Sequence, residues 1–293
     1  MSNAIPESQL IVNDEGAIYH LNLRPEDIAD DILLVGDPGR VPVVSAFFDT
    51  IEVKRQNREM VTHTGRYNGK RVTVLSTGMG TDNLDIVINE LDALANIDFK
   101  TRQPKASHHS LNLIRLGTCG ALQADIPVEE SYVATRYALG FDGLLYFYGQ
   151  NQEVNETAMR DAFIEYMNYP IDLPKPYVVE GSKELFDRIG QGYFQGITAT
   201  APGFYGPQGR VLRTPLAYPE NNAKIEGFRY GNWRICNFEM ESSALYGLGK
   251  MMGHNCLTIC TVVANRVSEK FAIDYHPYVE KLIKNTLERL TNS

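Results

Sequence analysis

Two arginines sit where a chain could hold an anion. Arg115 interrupts the apolar run Leu113–Gly120, read Leu-Ile-Arg-Leu-Gly-Thr-Cys-Gly, which begins as a strand and ends in a glycine turn. A guanidinium in such a run is expensive to bury without an anionic partner. Gly117 and Gly120 let the backbone approach a ligand closely, and Thr118 adds a hydroxyl donor. The layout suits a phosphate oxyanion. An arginine on an edge strand beside an ordinary turn would read the same way. Gly36-Asp37-Pro38-Gly39-Arg40 repeats the pattern of strand, glycine turn, arginine and helix start. It is not Gly-x-Gly-x-x-Gly, so it is not read as a dinucleotide site.

Further residues could complete a site. Gly203–Arg210 (Gly-Phe-Tyr-Gly-Pro-Gln-Gly-Arg) is either an exposed turn or a base pocket, in which a ring stacks on the base while Gln208 and Arg210 satisfy its edge. Glu239-Met240-Glu241 lies between a strand and a Leu/Ala-rich helix. These carboxylates either favour the helix dipole or grip hydroxyls, since a carboxylate accepts several hydrogen bonds at once. His20, alone in Ile18–Leu21, reads as structural on its own. His108-His109 lacks a carboxylate spaced to complete a metal site.

These residues need strands and helices to hold them. Ile32–Val35, Ile51–Lys54, Met60–Tyr67, Arg71–Ser76, Ser131–Tyr137, Tyr193–Thr200, Trp233–Phe238 and Asn255–Ala264 read as strands, with Asn68-Gly69 a hairpin turn. Val41–Phe48, Asp82–Leu94 (capped by Thr81 or Asp82), Ser182–Ile189, the segment from Glu241 to about Met252, and Tyr278–Leu290 read as helices. Lys100–Ser110 reads as a polar surface insertion and Asp172–Pro176 as a Pro-rich loop. Strands alternate with helices, and the polar candidates follow strand C-termini, where open α/β sheets place ligands.

The 293 residues fit one large α/β domain over residues 5–293, and hydrophobic content of 43% suffices for its core. Ser2-Asn3-Ala4 resembles an expression-tag remnant, so residues 1–4 stand outside the fold argument. A net charge of −8 argues against non-specific binding to nucleic acid or an anionic membrane. Cys119, Cys236, Cys256 and Cys260 form no Cys-x-x-Cys pair and read as reduced thiols of a cytoplasmic protein. The apolar runs are too short for a membrane span, and no signal-peptide pattern opens the chain.

Taken together, His20-Leu21, Gly36-Asp37-Pro38-x-Arg40, Arg58-Glu59, Ser76–Gly80, Ile114–Gly120, Phe204-Tyr205 through Arg210, Asn237–Ser242 and Asn265-Arg266 resemble the nucleoside phosphorylases of the hexameric type, and among them the uridine phosphorylases. The resemblance implies a mixed, barrel-like central sheet flanked by helices. It implies that Gly36, Arg40, Arg115 and Thr118 bind phosphate, with Arg58 reaching in from a neighbouring subunit. Met240 and Glu241 would hold ribose, with His20 of the neighbour at the 5′-hydroxyl. Phe204, Gln208 and Arg210 would meet the base, with Arg266 nearby. The catalytic set would be Arg115, Glu241 and Arg210.

The implied reaction is reversible phosphorolysis, with phosphate as co-substrate and neither metal, organic cofactor nor covalent nucleophile. The partner would be a second copy of the chain, in a dimer or a hexamer with shared active sites. Purine-cleaving relatives carry Ser-Asp where this chain has Asn265-Arg266, which implies a pyrimidine substrate. The phosphate-binding arginines argue against hydrolysis, and a purine substrate or a non-catalytic nucleoside-binding role are the alternatives. The chain departs from the family at Gly206-Pro207, in a longer Lys100–Ser110, and in a shortened segment after Arg266. Glu59 matches a ligand of an interface cation found in some members, but Asn83 replaces a serine ligand, so that ion is not expected.

Overall fold

The computed structural model describes residues 4–291; Ser2 and Asn3 of the suspected tag remnant lie outside them. The first strand, β1 (Asp31–Val35), is buried at every position, as its unbroken apolar run requires in a sheet covered on both faces. It leads into α1 (Arg40–Ser45), which ends earlier than the expected Phe48. Three strands follow: β2 (Thr50–Asn57), β3 (Met60–Tyr67) and β4 (Lys70–Ser76). The β3–β4 turn has positive φ at both Asn68 (49°) and Gly69 (77°), the geometry that makes Asn-Gly a hairpin signal. Helix α2 (Thr81–Asn96) starts from Gly80 at φ 97°, so the expected side-chain cap from Thr81 or Asp82 is absent.

The remaining strands are β5 (Asn112–Ala121), β6 (Tyr132–Gly140), β7 (Tyr177–Glu180), β8 (Phe194–Thr200), β9 (Trp233–Glu239) and β10 (Asn255–Asn265). The helices between and after them are α3 (Thr157–Met167), α4 (Lys183–Ile189), α5 (Asn221–Gly227), α6 (Ser242–Met251) and α7 (His276–Thr291). Ser182 caps α4 by accepting from the Leu185 amide at 3.4 Å.

Five strands close a ring in the order β5-β10-β6-β8-β9 and back to β5. The β5–β10, β6–β8 and β8–β9 contacts are parallel, while β10–β6 and β9–β5 are antiparallel. The closing contact is short, with Asn237 opposite Ala121 and Phe238 opposite Gly120. On the other side of β5 the sheet continues through β1, β4, β3 and β2. Strand β5 therefore has hydrogen-bonded neighbours on both flanks, so the edge-strand alternative for Arg115 fails.

All five ring strands feed one cluster of mostly small side chains, with Cys119, Ala121, Val133, Cys236, Cys260 and Val262 buried and Phe194 against them. Helices α2 and α6 cover one face through Leu84, Ile88, Leu91, Leu245 and Leu248. Helices α1, α4 and α7 cover the other through Val41, Leu185, Leu282 and Leu287. Lys100–Ser110 is exposed but tethered, since Lys105 Nζ donates to the Ala95 carbonyl at 2.7 Å and His109 pairs with Asp30 at 2.8 Å. Among the described residues no helix is long and apolar enough to cross a membrane.

Candidate active site

A cavity of about 1140 Å³ opens where β1, β4, β5, β8, β9 and β10 end. Its lining brings together Gly36, Arg40, Arg115, Thr118, Phe204, Gln208, Arg210, Met240, Glu241 and Arg266. These come from separate stretches of chain, and the sequence reading names them all. His20 and Arg58 are not among the lining residues, although Glu59, beside Arg58, is.

The innermost group is Arg115. Its residue is 4% exposed, and it is paired with Glu241 Oε2 through Nη2 and with Glu239 Oε2 through Nη1 at 3.5 Å. Burial works against its charge, but the two carboxylates outweigh that and raise its pKa above the ordinary arginine value. Gly117 is what makes room for it: a Cβ there would lie 2.0 Å from Arg115 Nη1. Arg40 donates from Nη1 to the Leu116 carbonyl at 3.2 Å, and its pKa is lowered by burial and by Arg115. Two guanidinium groups thus share one concavity and repel each other, an arrangement that an anion relieves.

Both carboxylates of Glu239-Met240-Glu241 line the cavity, and different groups hold them. Glu239 accepts from the Glu241 and Ser242 amides at 3.0 and 2.9 Å and from the Thr200 hydroxyl at 2.6 Å, fixing the start of α6. Deep burial pushes its carboxyl pKa up, against the pull of Arg115. Glu241 faces the cavity, accepting from the Gly80 amide at 2.9 Å through Oε1 and from the Met240 amide at 3.2 Å through Oε2. Its position is therefore set by α2's entrance and by Arg115 together. The Gly80 contact spans the sequence too widely for any local pattern to reveal it.

At the other end of the cavity Arg210 lies over the Phe204 ring, 3.7 Å from its centroid. It also donates from Nη1 to the Phe204 carbonyl at 2.6 Å and to Gln208 Oε1 at 2.5 Å. Gln208 is 3% exposed, whereas Phe204 is half exposed. Arg266 Nη1 donates to the Gln208 carbonyl at 3.1 Å. Burial, then repulsion from Arg266, lowers the Arg210 pKa to about 10. Asn265 also lines the cavity, but its side chain is committed: its amide donates to the Gln123 and Ile126 carbonyls, and its oxygen accepts from the Val267 and Ser268 amides. The cavity wall also includes Glu269, Lys270, Phe271 and Tyr275, which the sequence reading does not single out. Lys270-Phe271 folds back as a short strand on β10, so this segment forms a rim.

His108 Nε2 meets the Met252 carbonyl at 2.8 Å, and among the described residues no cluster of three or more His, Cys, Asp or Glu side chains is placed to hold a metal. The four cysteines are free and buried.

Comparison with known proteins agrees with this construction. A family model described as the phosphorylase superfamily matches residues 30–291. A uridine phosphorylase of Thermococcus kodakarensis is 32% identical over 258 residues, covering 88% of this chain and 81% of the relative. A DeoD-type purine nucleoside phosphorylase of Bacillus cytotoxicus is 30% identical over 245 residues, covering 83% and 85%. A solved nucleoside phosphorylase of Trypanosoma brucei, reported to show uridine phosphorylase activity, superposes with a TM-score of 0.84 at 30% identity, covering 97% of this chain and all of that one. With its matched length, its five-strand ring and its cavity at the strand ends, the chain belongs to the phosphorylase superfamily, among the nucleoside phosphorylases.

Proposed function

We propose that the protein catalyses reversible phosphorolysis of uridine, giving uracil and ribose 1-phosphate, in nucleoside salvage and catabolism. One observation carries the reading: Arg40 and Arg115, Glu241, and the Phe204–Gln208–Arg210 cluster line a single cavity. A phosphate site, a hydroxyl acceptor and a base site are then within reach of one nucleoside.

In this reading phosphate binds at Gly36, Arg40, Arg115 and Thr118. Arg115 is already paired with Glu239 and Glu241, so a dianion gains from a further positive charge, supplied by Arg58 of a neighbouring copy. Holding phosphate against the sugar makes the displacement effectively intramolecular. As the C1′–N bond breaks, phosphate stabilises the cation-like ribosyl centre electrostatically. Glu241 accepts from the 2′-hydroxyl, and Met240 packs against the ring.

The uracil leaving group departs as an anion spread over its carbonyl oxygens. Arg210 supplies charge to it. Gln208 Oε1 is taken by Arg210, which leaves the amide Nε2–H to donate. Arg266 stands where a purine enzyme would need an acid. No step uses a metal, an organic cofactor or a covalent nucleophile. The working unit is a homo-oligomer, dimer or hexamer, in the cytoplasm.

A purine substrate is the second reading, favoured by the Bacillus cytotoxicus relative. A panel of nucleosides assayed with and without phosphate tests both. Uracil release that requires phosphate supports the first reading, and hypoxanthine release supports the second. Base release without phosphate overturns phosphorolysis, as does tight binding without turnover.

A further inference from the structure

Glu90 on α2 does not line the cavity, yet it gathers a dense set of donors. Its two oxygens accept from the His20 amide at 3.0 and 3.1 Å and from the Leu21 amide at 2.8 Å. The same carboxylate lies 2.6 Å from His20 Nδ1. A carboxylate has only acceptor sites, so Nδ1 carries a proton, and in the neutral ring Nε2 is then the acceptor. The Glu90 side chain is 12% exposed, while that of His20 is 31% exposed. The fully buried Leu21 anchors the segment from below.

A second clamp joins the same segment to Arg58. Asn57 Nδ2 donates to the carbonyls of Tyr19 and His20 at 3.1 and 3.0 Å. Arg58 is the next residue, held in the turn after β2 at φ 51°. The His20 segment is thus tied to the residue that precedes Arg58, and neither His20 nor Arg58 lines this chain's own cavity. Glu59, one residue on, does.

We propose that Glu90 is a positioning residue that holds His20 with Nδ1 protonated and Nε2 bare, and that Glu90 and Asn57 present His20 and Arg58 as one unit to the cavity of a second copy of the chain. The bare nitrogen accepts a hydrogen bond from the hydroxymethyl end of the sugar, and Arg58 serves the phosphate beside it. The inference rests on the phosphorolysis reading of the site. Nothing in it requires Glu90 to touch substrate.

The test uses the full-length protein, its Glu90→Gln, Glu90→Ala and His20→Ala variants, and phosphorolysis of uridine and 5′-deoxyuridine. Glu90→Ala should lower kcat/KM for uridine roughly tenfold, mainly through KM, with little change for 5′-deoxyuridine. In the His20→Ala background, Glu90→Ala should add nothing. Glutamine can accept from the backbone amides but offers an N–H to Nδ1. Glu90→Gln should therefore move the His20 proton from Nδ1 to Nε2 in the nitrogen spectrum of histidine-labelled protein. Equal losses with both nucleosides would make Glu90 merely structural and overturn the proposal. So would unchanged uridine kinetics, or a wild-type His20 protonated at Nε2, with or without a proton on Nδ1. If wild type releases no base from either nucleoside in excess phosphate, the phosphorolysis reading fails, while the spectrum still decides the state of His20.

Discussion

The two ends of the cavity are built differently. At the ring end, Arg115, Glu239 and Glu241 are each about 4% exposed and interlocked by ion pairs, backbone amides and the start of α6. At the other end, Phe204 and Phe271 are exposed. Arg210 there is held mainly by its own loop, through Phe204 and Gln208. The contrast teaches a division of labour. Arg115, Glu239 and Glu241 are over-determined by the fold, while Phe204 and Arg210 are held mainly within their own loop, which Arg266 ties to β10 through the Gln208 carbonyl. Base preference can then shift by changes in one loop while the displacement chemistry stays put.

The comparison breaks most clearly at Arg115. Arg115→Ala should slow phosphorolysis roughly a hundredfold or more at saturating phosphate, the scale of losing a donor aimed at transition-state charge. It should also destabilise the fold by about 3–5 kcal/mol, because two buried carboxylates lose their counter-ion. Initial rates and urea titration check the two effects. Arg210→Ala should cut kcat/KM for uridine roughly tenfold or more, with phosphate KM and folding stability nearly unchanged. If Arg210→Ala unfolds the protein as readily as Arg115→Ala, the contrast is wrong.

A pH series sharpens the same contrast. The Arg210 pKa is lowered to about 10, so its guanidinium is charged below that pH and loses its proton above it. Arg115 is shifted the other way and keeps its charge. Uridine kcat/KM should therefore fall as pH rises through about 10, and the Arg210→Ala variant should lack that limb. The smallest effect belongs to the exposed chain just after Arg210, where Leu212 is 81% exposed. Leu212→Ser should change stability by no more than about 0.5 kcal/mol in the same urea titration.

Much of this arrangement is legible in the sequence because its signals are local. The Asn68-Gly69 turn, the Ser182 cap and the glycine turn after β1 are each written in a few adjacent residues, whereas Gly117–Gly120, expected as a turn, continues β5 as strand. Helix α3 is less legible. Met159, Phe163 and Met167 recur at a helical spacing, but the buried Arg160 blurs the polar face. Long-range pairings are hidden altogether. Nothing near Arg115 states that its partners lie at Glu239 and Glu241, or that β5 is flanked on both sides. That Glu239 is held by the amides at the start of α6 and Glu241 by the Gly80 amide follows from backbone positions that no side-chain pattern shows. The rim from Glu269 to Tyr275 is equally unreadable, because its place depends on Lys270-Phe271 folding back onto β10.

The ring is shut by a single short seam, Asn237 against Ala121 and Phe238 against Gly120, and Glu241 follows just beyond it. A nucleoside and a phosphate lying between Glu241 on one side and Thr118 on the other would straddle that seam like a rivet. Occupancy would then resist opening of the barrel at its weakest join, since any ligand that binds only the closed form adds to its stability. The substrates of such an enzyme would double as its fasteners.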